Sequence, residues 1–310
     1  MKEPLIKKIS DDNLQTQLRN ISFLRTTNKA NRDIYSTNFP ESPSLVREIG
    51  RLREITFRAA GGGTGKSLDL DSYDLNPDNP YNQLFIFDEK LNKIIGAYRY
   101  HLGSKNFPLD KKGNPDFATS KLFNFSDEFI SDYLPYSIEL GRSFILPEHQ
   151  VGREGLFSLV NLWDGLGTLM KTNPEQKYFL GKVTIYSDYD KSALKLLQSY
   201  FSNCCKLEKS GLITPKSDLK YVREIDSKTE DLFQGLNQEE GYLVLNKEIR
   251  SLGQQIPPLI NTYLKTSPSL QTFGTALNKG FGEVLETGIM IKINDIYESK
   301  WRNHVWYDDK

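Results

Sequence analysis

Two apolar runs with four residues between them constrain this chain more than any other feature. QLFIFD (residues 83–88) and KIIGAYRYH (93–101) both read as strands, and only residues 89–92 separate them. A parallel return needs a crossover of roughly a dozen residues. The two runs must therefore form an antiparallel hairpin, which excludes any fold made only of parallel strand–helix–strand units.

A helix is expected before the hairpin. Ser42 suits an N-cap with Pro43 at the first helical position, and Leu45, Ile49, Leu52 and Ile55 recur at helical spacing until the Gly61–Gly63 cluster. After the hairpin, residues 103–120 read as a loop and SIELGRSFIL (137–146) as a strand ended by Pro147. The stretch PEHQVGREG reads as a short loop, and residues 156–170 as a helix with Leu156, Leu159, Val160, Trp163 and Leu166 inward. Residues 178–186 read as a strand, 191–201 and 259–264 as helices, and 288–293 as a late strand. The implied fold is mixed α/β, with a sheet that starts antiparallel and has parallel middle strands at 137–146 and 178–186. Polar residues 1–41 read as an N-terminal arm. Residues 42–310 read as a single domain with an insertion at about 205–240.

Charge removes several classes of function. The 310 residues carry 40 Lys plus Arg and 40 Asp plus Glu, so bulk charge argues against a nucleic-acid binder. No apolar run approaches the ~20 residues of a membrane helix, and the start lacks the apolar stretch of a secretory signal. Adjacent Cys204 and Cys205 suit neither a disulfide framework nor a metal site, and read as reduced structural thiols. His101, His149 and His304 are scattered, so no metal centre is expected.

AGGGTGKS (60–67) imitates a phosphate loop, and LFIFDE (84–89) imitates the strand whose Asp holds Mg²⁺. The context argues otherwise. A phosphate loop follows a buried strand, whereas REIGRLREITF reads as an amphipathic helix. It must also open a helix, whereas SLDLDSYD is acidic and helix-poor. Lys66 and Asp88 stand too close for a helix and a parallel return. The expectation is a glycine loop over a site, with nucleotide binding as the alternative.

The charged residues around that loop form a better constellation. Arg53 and Phe57 share a helix face, Asp69, Asp71 and Asp74 follow, Arg99 sits on the second hairpin strand, and Glu139 and Arg142 sit on the third strand. In this order the chain resembles the GNAT-superfamily acyltransferases that use acyl carrier protein. These are the N-acyltransferases of ornithine-lipid and glycine-lipid synthesis, often called "hemolysin-like", and, more distantly, the acyl-homoserine-lactone synthases. That group shows an R-x-x-x-F helix, an acidic E/D-x-D-x-x-D segment, a G-x-x-R strand and an E-L-x-R strand. Gly96 and Leu140 complete the match, and IPPLINTY near residue 260 resembles the lipid-forming branch.

The resemblance implies a GNAT-like central sheet whose parallel middle strands splay apart, flanked by helices. It implies transfer of a fatty acyl or 3-hydroxyacyl group from a carrier-protein thioester to the α-amine of an amino acid, ornithine or glycine. No tightly bound cofactor or metal is implied; the acyl-phosphopantetheine is the donor. Glu139 would act as the base, with a plain ion pair to Arg142 as the alternative. Arg53, Phe57, Asp71, Asp74 and Arg99 would hold the acceptor, or else tie the first helix to the hairpin. A strand amide near Phe144, Ile145 and Leu146 would meet the thioester oxygen. The donor loop falls on Gln150, Gly152, Arg153 and Gly155, whose spacing departs from the usual pyrophosphate loop and favours carrier protein over coenzyme A. Lys2, Lys7, Lys8 and Arg153 would meet an acidic carrier or anionic lipid, with a plain solvated tail as the alternative for the lysines; without a membrane-spanning run the expected location is cytoplasmic, any membrane contact being peripheral at the inner face. A GNAT-like module that binds without catalysis is a third reading.

Overall fold

The computed structural model describes residues 2–221 and 226–306; residues 222–225, within the stretch read as an insertion, lie outside them. In chain order the elements are α1 (Asp11–Leu18), β1 (Ser22–Thr26), β2 (Asp33–Thr37), α2 (Pro43–Ala59), α3 (Ser72–Leu75), β3 (Asn82–Asp88), β4 (Lys93–Leu102), β5 (Phe123–Phe125) and β6 (Ser137–Ile145). There follow α4 (Gly152–Thr172), β7 (Tyr178–Ile185), α5 (Lys191–Cys204), β8 (Ile213–Pro215), α6 (Ser227–Asp231), α7 (Gln238–Ser251), α8 (Pro258–Leu264), β9 (Gln271–Asn278), β10 (Val284–Lys292) and α9 (Glu298–His304). The chain divides into two compact units. The first holds residues 1–102, 139–175 and 298–310, and the second holds 103–138 and 176–297.

In the first unit the strands run in the order β1-β2-β3-β4-β6. The hairpin is antiparallel as its short turn requires, with Leu84 opposite Tyr98 and Gln83 opposite Arg99. β4 continues antiparallel to β6, where the Leu146 amide donates to the Ile95 carbonyl at 2.9 Å. The interior of β3 is buried on both sides because helices cover both faces. On one face the α4 backbone comes close enough that a Cβ on Gly165 would stand 2.5 Å from Leu84. The Tyr98 hydroxyl, on the same face, donates to the Leu162 carbonyl. On the opposite face Gln83 and Arg99 point toward α2. The site is assembled there.

Two expectations for this unit need correction. The stretch read as an arm carries α1 and the β1–β2 hairpin, and β2 pairs antiparallel with β3 from Asp33↔Phe87 to Thr37↔Gln83. Five-residue strands give too short an alternation to stand out among polar residues. The helix expected at 156–170 starts four residues earlier, and Leu156 is 61% exposed rather than inward. The inward stripe of α4 is instead partly polar, with Ser158, Asn161 and Asp164 fully buried.

In the second unit β7 pairs with β10 and β10 with β9, both antiparallel. The Lys177 amide, just before β7, donates to the Tyr136 carbonyl at 2.8 Å within this unit. β9 was not apparent in the sequence, because TFGTALN mixes polar and apolar residues. The stretch at 205–240 contributes β8, α6 and the start of α7.

Candidate active site

The acidic segment is organised by its own backbone. Asp71 caps the single turn of α3, accepting from the Tyr73 amide at 3.0 Å and the Asp74 amide at 3.3 Å. Asp74 returns the bond by accepting from the Asp71 amide at 3.2 Å, which completes a capping box. The D-x-x-D spacing thus places two carboxylates side by side. Arg99 comes up from β4 into this pair. Its Nη1 donates to Asp71 Oδ1 and Asp74 Oδ2, both at 2.8 Å, and its Nη2 donates to Asp71 Oδ2 at 3.1 Å. Arg53 approaches from α2 and donates from Nη1 to both Asp74 oxygens at 3.2 Å and from Nη2 to Gln83 Oε1. Gln83 in turn donates to Asp74 Oδ1 at 3.0 Å.

Burial sets the electrostatics. Arg53 and Asp74 are fully buried and Arg99 is nearly so. Desolvation alone would push the Asp74 carboxyl up, but Arg99 and Arg53 outweigh it and hold the group below the usual carboxylate range. Desolvation works against the Arg99 charge too, and there Asp74 and Asp71 prevail and raise its pKa. For Arg53 burial wins and its pKa falls, because the pull of Asp74 and Asp69 is opposed by the like charges of Arg99 and Arg142. Asp69 is the odd carboxylate. Burial pushes its pKa up despite Arg142, whose Nε stands 3.0 Å from Asp69 Oδ2.

The third strand brings in Glu139 and Arg142. Glu139 is 1% exposed and accepts from the Tyr81 hydroxyl. The Tyr81 ring is boxed by Tyr73 at 5.7 Å, His101 at 5.1 Å and the Arg99 guanidinium at 4.8 Å. Arg142 has φ +53°, a left-handed conformation inside a strand. Such a backbone costs a non-glycine residue about 1–3 kcal/mol and concentrates at functional positions. Phe57 packs edge-on against Phe144 with centroids 6.4 Å apart, which joins α2 to the end of β6.

Past β6 the chain turns into α4. The Gln150 side chain donates to the Ile145 carbonyl at 2.6 Å, Gly152 takes φ +60°, and no side chain caps the helix start. A Cβ on Gly155 would lie 2.2 Å from the Gln150 carbonyl, so the turn closes only with glycine there. Arg153 is exposed and lies over the Phe157 ring at 5.1 Å. Because Leu146 gives its amide to β4, Ile145 one residue earlier directs its amide to the other edge of the strand.

Residues 52–160, which contain this cluster, match the family described as "Acetyltransferase (GNAT) domain". Over 307 residues the chain is 47% identical to a "Glycine N(alpha)-acyltransferase" of Phocaeicola vulgatus, covering 98% of this chain and 93% of that relative. Over 306 residues it is 45% identical to a protein of the same name from Bacteroides thetaiotaomicron, covering 98% and 90%. The chain belongs to the GNAT N-acyltransferases. No solved structure matches it.

Membership makes the chain an enzyme rather than a binding module without catalysis. The structure also disposes of the phosphate-loop alternative in this GNAT acyltransferase. The glycine loop follows a helix, and its amides are engaged within the protein. Thr64 and Gly65 donate to the Glu54 carboxylate at 3.0 and 2.7 Å. Ser67 donates to Glu3 at 2.9 Å, Lys66 to the Thr64 hydroxyl at 3.2 Å, and Gly61 and Gly62 to the end of α2. Burial would raise the Glu54 carboxyl, but Arg58, Thr64 and Gly65 hold it below its ordinary value. The loop is an anion nest filled by the enzyme's own carboxylate.

Arg53, Asp69, Asp71, Asp74, Arg99, Glu139 and Arg142 fall in one cluster of the acyltransferase. Two members were missed. Gln83 could have been found from the hairpin register, which sets it opposite Arg99. Tyr81 precedes the strand and carries no sequence signal; only the fold brings it to Glu139.

Proposed function

We propose that this enzyme transfers a fatty acyl group, 3-hydroxylated or plain, from acyl carrier protein to the α-amine of glycine, yielding an N-acylglycine for aminolipid synthesis. The observation that carries the reading is identity of 47% and 45%, across almost the whole chain, to proteins named for that acceptor. The cluster supports glycine over ornithine. Asp69, Asp71 and Asp74 each already face an arginine, which suits an acceptor with one ammonium rather than two. Kinship with the acyl-homoserine-lactone synthases and the "hemolysin-like" group is part of the same proposal, supported by the motif residues meeting in one place.

In this reading Asp71 and Arg142, each with 17% of its side chain exposed, are the members that reach the acceptor. Arg53, Asp74 and Arg99 hold them from within, and Phe57 closes the floor. Glu139 takes the proton from the acceptor ammonium, with the Tyr81 hydroxyl fixing the carboxylate. The free amine attacks the thioester carbon, and the amide of Ile145, between Phe144 and Leu146, stabilises the oxyanion. The C–S bond then breaks, nitrogen loses its second proton, and the carrier leaves as a thiol. No acyl-enzyme is needed. Both cysteine thiols are pushed up by burial, Cys205 to about 12, so neither is a ready nucleophile.

The donor's phosphopantetheine lies at the start of α4, on Gln150, Gly152, Arg153 and Gly155. Val151 and Leu156, 71% and 61% exposed beside Arg153, form an apolar and basic rim suited to an acidic carrier rather than to coenzyme A. Among the described residues no helix is long and apolar enough to cross a membrane. We place the enzyme in the cytoplasm, with peripheral contact at the inner membrane face through Lys2, Lys7 and Lys8.

The test supplies matched acyl-carrier and acyl-coenzyme A thioesters with glycine, ornithine and other amino acids, and follows free thiol and product mass. Glycine with the carrier donor is expected to be fastest. Glu139→Gln should lower kcat by roughly 100-fold or more at neutral pH, and raising the pH should recover part of the loss. Equal rates with coenzyme A would remove the carrier. Thiol release with no amino acid would remove the acceptor.

A further inference from the structure

Glu154 poses a problem for the donor site. It lies in the first turn of α4, between Gly152 and Gly155. A carboxylate there favours the helix dipole, but it also repels the phosphate that the pantetheine arm must bring to the same turn. The structure shows how the charge is met. Arg32, in the loop between β1 and β2, is 2% exposed, and each of its three guanidinium nitrogens donates a hydrogen bond. Its Nη2 donates to Glu154 Oε1, its Nε to Asp88 Oδ2 at 2.9 Å, and its Nη1 to Ser158 Oγ at 3.1 Å and Asn161 Oδ1 at 3.3 Å. The Glu154 carboxyl is correspondingly held below its ordinary value by Arg32, with His149 Nδ1 3.2 Å away adding to the effect.

The contact is part of a larger seam. Residues 154, 158, 161 and 164 form one stripe of α4, and each touches the loop that carries Arg32. Asn161 donates to the Lys29 carbonyl at 2.8 Å, and the Asn28 amide donates to Asp164 at 2.9 Å. The loop is shaped for this, with Ala30 and Asn31 both left-handed at φ 68° and 52°. The buried polar stripe of α4 is thus a docking track for the β1–β2 loop.

We propose that Arg32 is a positioning residue for the acyl donor: it neutralises Glu154 and fixes the first turn of α4, so that the turn can accept the donor's phosphate. This gives the stretch first read as an arm a part in donor binding. The inference rests on the donor lying at the start of α4.

The test is a charge cycle. Arg32→Gln exposes the phosphate to an uncompensated carboxylate and should raise the donor KM by about tenfold, the scale of one close charge pair. The acceptor KM and the kcat at saturating donor should stay near wild type. Glu154→Gln alone leaves Arg32 in excess and should lower the donor KM. The double variant should return the donor KM to within about twofold to threefold of wild type, although it removes more hydrogen bonds than either single change. A purely structural Arg32 predicts otherwise: additive losses, shared by both substrates, with no rescue. That result overturns the proposal. If Arg32→Gln folds poorly, Glu154→Arg and Glu154→Gln carry the test, since the donor KM should then follow the charge at position 154; indifference to that charge overturns it equally. A separate measurement addresses the premise. A non-hydrolysable amide analogue of acyl-phosphopantetheine should slow hydrogen exchange at the amides of residues 152–155. Absence of that protection removes the donor from α4, whereas protection without charge coupling removes only the role of Arg32.

Discussion

Two glycine loops of this enzyme invite opposite readings in sequence and in structure. AGGGTGKS at 60–67 looks made for phosphate, yet seven of its amides donate to Glu54, Glu3, Thr64 and the end of α2. QVGREG at 150–155 matches no phosphate motif closely, yet it opens a 21-residue helix with no side-chain cap. Glycine content reports only that a backbone can turn tightly. Where the freed amides point depends on what stands inside the turn, and in the first loop a buried carboxylate stands there.

The contrast can be broken at either loop. The largest effect is expected at the second. Gly155→Ala places a methyl 2.2 Å from the Gln150 carbonyl, so the backbone of the turn must shift. Donor kcat/KM should fall by roughly 100-fold, the scale of a displacement of about 1 Å at a binding group. A fall below about threefold in steady-state kinetics would mean that the turn does not touch the donor.

At the first loop the effect should appear in stability. Glu54→Ala orphans the amides of Thr64 and Gly65 and the Arg58 guanidinium, and should destabilise by about 1–3 kcal/mol in urea unfolding. The carboxyl's lowered pKa also gives a sign. Its stabilisation is complete at pH values above the ordinary carboxylate pKa and is lost as the pH falls through the lower folded value. Urea midpoints measured from pH 7 downward should therefore drop less steeply for Glu54→Gln than for the wild type. An identical slope would show that the loop does not depend on the ionised group.

The smallest change should come from Lys66→Ala. Lys66 is exposed and lies outside the buried cluster, so turnover should stay within about threefold and no nucleotide should bind in calorimetry. A large loss there would restore the phosphate reading of the first loop and erase the contrast.

Local chemistry made much of this molecule legible in advance. The hairpin, α2, β6 and α5 follow from apolar periodicity and short connections, and each starts within a residue of its expected position. The arginine and carboxylate motifs are legible as types because burying charge demands partners. The β1–β2 hairpin and β9 were not legible, because a short strand borrows its stability from the sheet it joins. Leu156 fails for a related reason. Apolar periodicity assumes an apolar neighbour, whereas α4 turns a polar stripe to the β1–β2 loop and leaves Leu156 outside.

The sequence alone determined the antiparallel start of the sheet, the helix before it and the set of charged residues from Arg53 to Arg142, because these depend on turn length, periodicity and the pairing that buried charge requires. Only the tertiary structure decided what each charge meets. It set Tyr81 against Glu139, filled the first glycine loop with Glu54, and brought Arg32 to Glu154 across 122 positions of chain. Side chains far apart in sequence share a hydrogen bond only when the sheet and its helices have packed, and no local pattern encodes that distance.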